Sequence, residues 1–539
     1  MFFAIVLLPL VGAGLIAPWP TPSRAEWVVR LIQGWLYPAI LLLEILFIVS
    51  AALLETPALT LSLDSPLLGA GPDVAYLLDN LAVWMLLVLL LSLFVVELVR
   101  PRSTLKPLRN SMALLLVTVS IGALTGQTLY AVCLAWGVVD LAFMGLNLLN
   151  ASSDDLPNTI REIGTNLAST CLLIAAATVS GGGTWSTAEW GIARELALVA
   201  ALLRLGVYLV PGSARQRWQG TLFALVLGGM LWLRLMGMAP GSVVSAQRVL
   251  TLGAWALVAT AFIAARAPDL SRAMPYVVLH SSTIAIMASL SDPATGILIA
   301  LASLVNAVFC LSLLELLPLL WPSDEMPQLG RWLVSVPLAS LGGVPLTLGF
   351  VAHWGLLRIC WLYGAWGPFG LVVLSYALVA APLWRRGLSV WRAAPVSRPI
   401  TPLTWAGIGG GILIAAVLVL AALYPPLMLA IGARFWNLPT LGALLQGPVM
   451  VIMALLFGSA APIIAGLVLM HAEEIYAARL APALDTLAAL LEMHWFYETV
   501  DPLFKGGRRA LEVAALAIDS SLYLGWTVAW STIVMLYLI

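Results

Sequence analysis

The sequence predicts an all-α, polytopic membrane protein of about 14–16 transmembrane helices, organised as two inverted five-helix repeats, each with a broken fourth helix. Three observations carry this expectation. Of 539 residues, 62% are hydrophobic and only 10% charged, whereas soluble domains have about 25% charged residues. Apolar runs of roughly 20 residues, the length that crosses the hydrocarbon core, recur along the whole chain. Two of these runs are interrupted by glycine and proline at matching places in two helix groups of opposite direction.

The first three runs lie near 1–18, 28–53 and 77–100 and make an N-terminal group over 1–108. The first lacks a basic start and is followed by further spans, so it reads as a helix and not as a cleaved signal. Runs near 109–124, 127–149, 160–180, 190–211 and 219–238 form the first repeat, over 109–238. Its fourth run ends at Pro211 and Gly212. Runs near 248–266, 274–290, 294–320, 331–361 and 366–384 form the second repeat, over 248–384. Its fourth run carries Gly342, Gly343, Pro345 and Gly349. Proline removes a backbone donor and clashes one turn back, so the helix breaks there. Lipid tolerates such a break only where the freed amides face protein or trapped water.

Two runs near 404–430 and 443–471 fill 385–471. Segment 472–513 is amphipathic, with Trp495, Phe496 and Tyr497 close to Lys505, Arg508 and Arg509, as in a helix lying at the membrane interface. A last transmembrane helix occupies 514–539. Basic residues gather in alternate loops, among them Arg100, Arg102, Lys106 and Arg109, then Arg385, Arg386, Arg392 and Arg398. The loop at 54–76 is acidic instead. By the positive-inside rule both termini face outward, in a plasma membrane of bacterial type.

Ionisable groups deep in apolar runs are costly unless paired or hydrated, so each one is a candidate. They are Glu44, Asp140, Arg204, Arg234, His280, Glu315, His353 and Arg358. His353 follows the broken helix and can change charge near neutral pH. Asp140 can hold a proton or pair with Arg204, which stays protonated and can only set the local field. His280 reads first as a satisfied core histidine, Glu315 as a side chain reaching the headgroups, and Glu44 as isolated. Asp140, Arg204, His353 and His280 are therefore the expected ion-path residues.

Other classes are disfavoured. Zero net charge offers nothing to nucleic acid. Cys133, Cys171, Cys310 and Cys360 lie in apolar runs without a CxxC pair and read as packing residues, with no metal or redox signal. No nucleotide-binding glycine motif, haem ligand pair or iron–sulfur set is present, so no cofactor and no catalytic site of the chain's own are expected. A membrane glycosyltransferase would want acidic residues beside a metal in a large outer loop. Here Glu55, Asp64 and Asp73 stand without histidine or DxD spacing.

Six segments, in collinear order, resemble the antiporter-like subunits of respiratory complex I and of Mrp-type cation/proton antiporters. YLLDNLAVW around Asp79 is similar to the motif opening the family's third helix. LAWGVVDLAFMGLNLL resembles its fifth helix, but Gly137 follows Trp136 where the family usually has glutamate, and Asp140 lies one turn on. LLRLGVYLVP resembles the broken seventh helix, with Arg204 in the place of a lysine. The stretch with Asp269 and Arg272 resembles the junction of helices nine and ten. In the eleventh helix Asn306 stands for a histidine and Cys310 for a lysine, and in the twelfth His353 stands for a lysine or glutamate.

The resemblance implies a membrane subunit of a complex-I-like assembly (NADH:quinone oxidoreductase type) that moves protons, or possibly sodium, alongside other membrane subunits. It also implies alternatives: a non-conducting structural subunit, or a subunit of an Mrp-type antiporter or a carbon-uptake system. The usual lysine relay is missing, since the only lysines, Lys106 and Lys505, lie in loops. Buried lysine shifts its proton affinity readily and arginine does not.

Overall fold

A computed structural model describes residues 2–16, 26–53, 76–100, 107–150, 156–181, 185, 191–205, 214–238, 245–267, 269–321, 326–392, 402–423 and 448–470, with 486 and 509 singly. Pro211, Lys106 and Lys505, the amphipathic segment (apart from 486 and 509) and the last expected span lie outside these residues.

The described chain is all-α. Its helices are α1 (Phe2–Ile16), α2 (Glu26–Leu53), α3 (Asn80–Val99), α4 (Pro107–Thr125), α5 (Leu129–Asn150), α6 (Leu156–Val179), α7 (Gly191–Arg204) and α8 (Ala214–Met238). They continue with α9 (Ala246–Arg266), α10 (Leu270–Ser291), α11 (Pro293–Leu320), α12 (Gln328–Leu341), α13 (Leu348–Leu362), α14 (Trp366–Arg392), α15 (Pro402–Leu423) and α16 (Pro448–Leu455). Among the described residues, eight segments are long and apolar enough to cross a membrane, and six shorter helices are also apolar. The protein is thus an integral, multi-pass membrane protein.

One run breaks where the sequence predicts a break, and another departs from the simple helix expected of it. Run 331–361 is two helices, α12 and α13, separated at 342–347. Run 443–471 contains a π-helical turn over Leu456–Ala460, after which helix resumes to 470.

The core is organised around α11, a 28-residue helix packed against α3, α8, α10, α12, α13 and α15. Lipid offers no hydrophobic drive between helices, so close approach through small residues does this work. A Cβ on Gly410 of α15 would lie 2.8 Å from Val95 of α3, and one on Gly355 of α13 would lie 2.6 Å from Ile299 of α11.

A part-buried ionic clamp ties α3 to α8. Asp79 caps α3, accepting from the Ala82 amide at 2.7 Å, and its second oxygen accepts from Arg234 Nη2 at 2.8 Å. Arg234 Nη1 also donates to the Gly126 carbonyl, which receives Trp185 Nε1 at 3.0 Å as well. Asp79 therefore acts as a structural anchor here. Three of the cysteines are buried as packing residues, but Cys171 is exposed on α6. Its turn of α6 presents it outward, away from the face that carries buried Thr170.

Candidate functional site

Two buried polar centres sit among the apolar helices. The first joins α5, α6 and α7. Arg204 Nη1 donates to Asp140 Oδ1, and Thr170 donates to Asp140 Oδ2 at 2.5 Å. Arg204 Nη2 closes the triangle by donating to Thr170 Oγ1 at 3.0 Å. The guanidinium carbon lies 4.5 Å from the centroid of the Trp136 ring. Both charged side chains are almost wholly buried, at 3% and 2% exposure.

Such a pair survives burial only if good geometry and further hydrogen bonds offset the loss of hydration. Thr170 and the Trp136 face supply those partners. Gly137, one turn from Asp140, has nothing within 4 Å of the place a Cβ would take, so a longer side chain would meet open space.

The second centre gathers α10 to α14 around the helix break. α12 ends in a Schellman motif: Gly343 N donates to Ser340 O at 3.1 Å and Val344 N to Ala339 O at 2.9 Å. Gly343 takes the left-handed conformation at φ 69° that this motif requires. α13 then restarts from Thr347, whose side chain accepts from the Phe350 amide at 3.4 Å. Removing that cap with Thr347→Ala should lower stability by about 1 kcal/mol, read as a lower melting temperature of the solubilised protein.

Asn306 of α11 fastens the break. Its Oδ1 accepts from Ser340 Oγ at 2.6 Å and from Cys310 Sγ at 3.5 Å, while Ser340 Oγ accepts from the Gly349 amide at 3.3 Å. Gly349 thus lies inside α13 beyond the unwound stretch, where it lets α13 pass close to Ser340. Pro345 sits in the unwound stretch itself.

His353 lies one turn into α13, buried, with its Nδ1 lacking a hydrogen-bond partner and pressed against Gly343. Its ring stacks on Tyr376 of α14 at 3.9 Å between centroids. Tyr376 Oη donates to the His353 carbonyl at 3.2 Å. His280 of α10 stands edge-on to both rings, 6.3 Å from His353 and 5.8 Å from Tyr376. Ser375 Oγ lies 2.7 Å from Val372 O and within hydrogen-bond distance of His280 Nε2, at 3.2 Å.

The four expected ion-path residues thus fall into two sets. Asp140, Arg204 and Trp136 meet in the first, and His280, His353, Asn306 and Cys310 share the second. Asp269 and Arg272 join neither: Asp269 caps α10, accepting from the Arg272 amide at 2.8 Å and from Ser271 at 2.6 Å. Those bonds, the Ser271 hydroxyl first, hold its carboxyl below the usual carboxylate range. A depressed folded value means the cap contributes above the unfolded value and is lost as pH falls through the folded one. Asp269→Asn should therefore leave the neutral-pH melting temperature nearly unchanged and remove only this acid-side loss, checked by melting curves from pH 7 downward.

Thr170, Ser340, Ser375 and Tyr376 complete the centres without having stood out in the sequence. Hydroxyls in apolar helices usually bond their own backbone one turn back, so composition does not mark those that reach across.

No family model and no curated protein matches the sequence. Solved structures do. A chain of the Mrp complex from Dietzia sp. DQ12-45-1b superposes with a TM-score of 0.72 at 17% identity, covering 99% of this chain and 62% of that one. This chain thus spans 62% of that Mrp chain's length. A chain of the membrane-bound sulfane sulfur reductase (MBS), an archaeal respiratory membrane complex, gives 0.69 at 16% identity and covers 99% of both chains. The fold is that of chains in these membrane complexes. A chain of respiratory complex I from Thermus thermophilus with bound NADH gives 0.62 at 17% identity, over 80% of this chain and 99% of that one. The likeness is one of fold, and it agrees with the architecture expected from the six motifs.

Proposed function

We propose that this chain is an antiporter-like membrane subunit of a complex-I-type assembly and contributes to proton translocation through its two buried polar centres. The observation that carries the reading is His353, a buried imidazole with a free Nδ1 set against a helix break, stacked on Tyr376 and edge-on to His280. Imidazoles change charge near neutral pH and are poor ligands for sodium, which favours protons as the cargo. Asp140 and Arg204 then act as a fixed-charge partner centre, the lysine relay being absent. The reading keeps the two inverted five-helix units, at 109–238 and 248–384, and partner membrane subunits, with any electron transfer carried out in other subunits of the assembly.

A structural, non-conducting role is the second reading. It is favoured by the closed Asp140–Thr170–Arg204 triangle and by the tight packing of α8, where a Cβ on Gly228 would lie 3.1 Å from Arg204 and one on Gly229 2.8 Å from Leu304. The test is proton uptake in membrane vesicles containing the whole assembly. His353→Ala should reduce pumping severalfold while the assembled complex is recovered in wild-type amount. Wild-type pumping in that variant would give the structural reading instead.

A further inference from the structure

Glu44 of α2 belongs to neither centre, yet it is fully buried and both carboxyl oxygens lack a hydrogen-bond partner. Its neighbours on α2, Leu42, Leu43 and Leu46, face outward, so Glu44 points into the bundle of α1–α4. Helix register fixes its depth. A Cβ on Gly12 of α1 would lie 2.2 Å from Ile40 of α2 and 3.2 Å from Leu114 of α4, which brings the Ile40 and Leu114 side chains together at the level of Gly12. Ser111 of α4 donates to the Ala13 carbonyl at 2.7 Å, which sets the level at which α1 and α4 meet, and because successive spans alternate in direction α2 and α4 run the same way.

Glu44 lies one turn beyond Ile40, about 6 Å along the axis. Ser120 of α4 lies one to two turns beyond Leu114 in the same sense. On α3, Glu97 and Arg100 sit in electrostatic range of Tyr37, two turns from Glu44. Ser92 is five residues before Glu97, which brings it towards the same depth. The hydroxyls of Ser92 and Ser120 are also fully buried and without partners.

The charges on these helices do not reach this level. α1 carries no titratable side chain. On α3 and α4, Glu97 is bound to Arg100 at 2.7 Å and lies 4.0 Å from Arg109, roughly two turns, or about 10 Å, from Glu44. On α2, Tyr37 is two turns away, and Arg30 and Glu26 are farther. An ionised carboxylate here would be buried without a counter-charge, which proteins avoid by neutralising the group. Intramembrane ionisable residues of this kind mark functional sites.

We propose that Glu44, with the Ser92 and Ser120 hydroxyls near its depth, is a separate proton-binding site in the N-terminal helix group. The ligand is a proton carried on the carboxyl. A sodium ion would need the ionised form and more oxygens than one carboxylate and two hydroxyls.

Dicyclohexylcarbodiimide, an apolar reagent that adds to protonated carboxyls, tests this on the full chain in native membranes, with adducts located by mass spectrometry. At pH 7, Glu44 should be labelled at least about tenfold more than the exposed cap Asp269, a factor worth one unit of proton affinity. Labelling should fall as pH is raised, remain unchanged when sodium replaces choline, and vanish in Glu44→Gln. No adduct on wild-type Glu44 at pH 7, or protection by sodium, overturns the proposal. Labelling should also survive in His353→Ala, so this result stands or falls apart from the pumping test.

Discussion

Arg204→Leu destabilises the solubilised protein by about 3–5 kcal/mol, the cost of leaving a buried charge without its partner. Asp140 then keeps only Thr170, in a site where its side chain is 2% exposed. The double variant Asp140→Leu/Arg204→Leu should regain most of that loss, because removing both charges abolishes the desolvation cost along with the attraction. Thermal or denaturant unfolding of the two single variants and the double one forms a cycle whose coupling term measures the pair. Additive losses would show that the two groups do not act as a unit. Arg204→Lys should fall between, since a lysine cannot donate to Asp140 and Thr170 at once as the guanidinium fork does.

Gly349→Ala should be more damaging than Gly343→Ala, although only Gly343 has a left-handed backbone. At Gly349 the new methyl would fall on the Ser340 carbonyl, a main-chain atom that cannot turn aside, and it would come within 3.0 Å of the Asn306 amide. Separation of α12 from α13 is the expected result, with loss of the assembled subunit. At Gly343 the methyl meets the His353 ring, a side chain that can rotate away, so the direct cost is the left-handed strain of about 1–2 kcal/mol. Gly343→Ala should therefore yield assembled complex whose pumping falls with that of His353→Ala. The opposite order of yields would show that the break is not fastened through Ser340.

The fold class and the helix break were legible because each has a one-dimensional signature. Apolar runs need only composition, and the break at 342–347 follows from Gly342, Gly343 and Pro345. The position of His353 beside the break was legible for the same reason. What the sequence could not order was the side chains that meet across helices. Thr170 and Asp140 are thirty residues apart and Tyr376 and His353 twenty-three, and their contacts depend on helix rotation. Arg234 is clamped to Asp79, 155 residues away, a pairing no local pattern marks. Cys171 read as interior from its apolar run, yet it takes the outward face of its turn.

The fastening of the break by Asn306, Ser340 and the Gly349 amide is uncharged throughout. A joint without formal charge does no electrical work when the transmembrane voltage changes. A change of transmembrane voltage therefore finds no formal charge to act on in this joint, and acts on this half of the protein through its ionisable groups, Glu315 and Arg358 as well as His280 and His353.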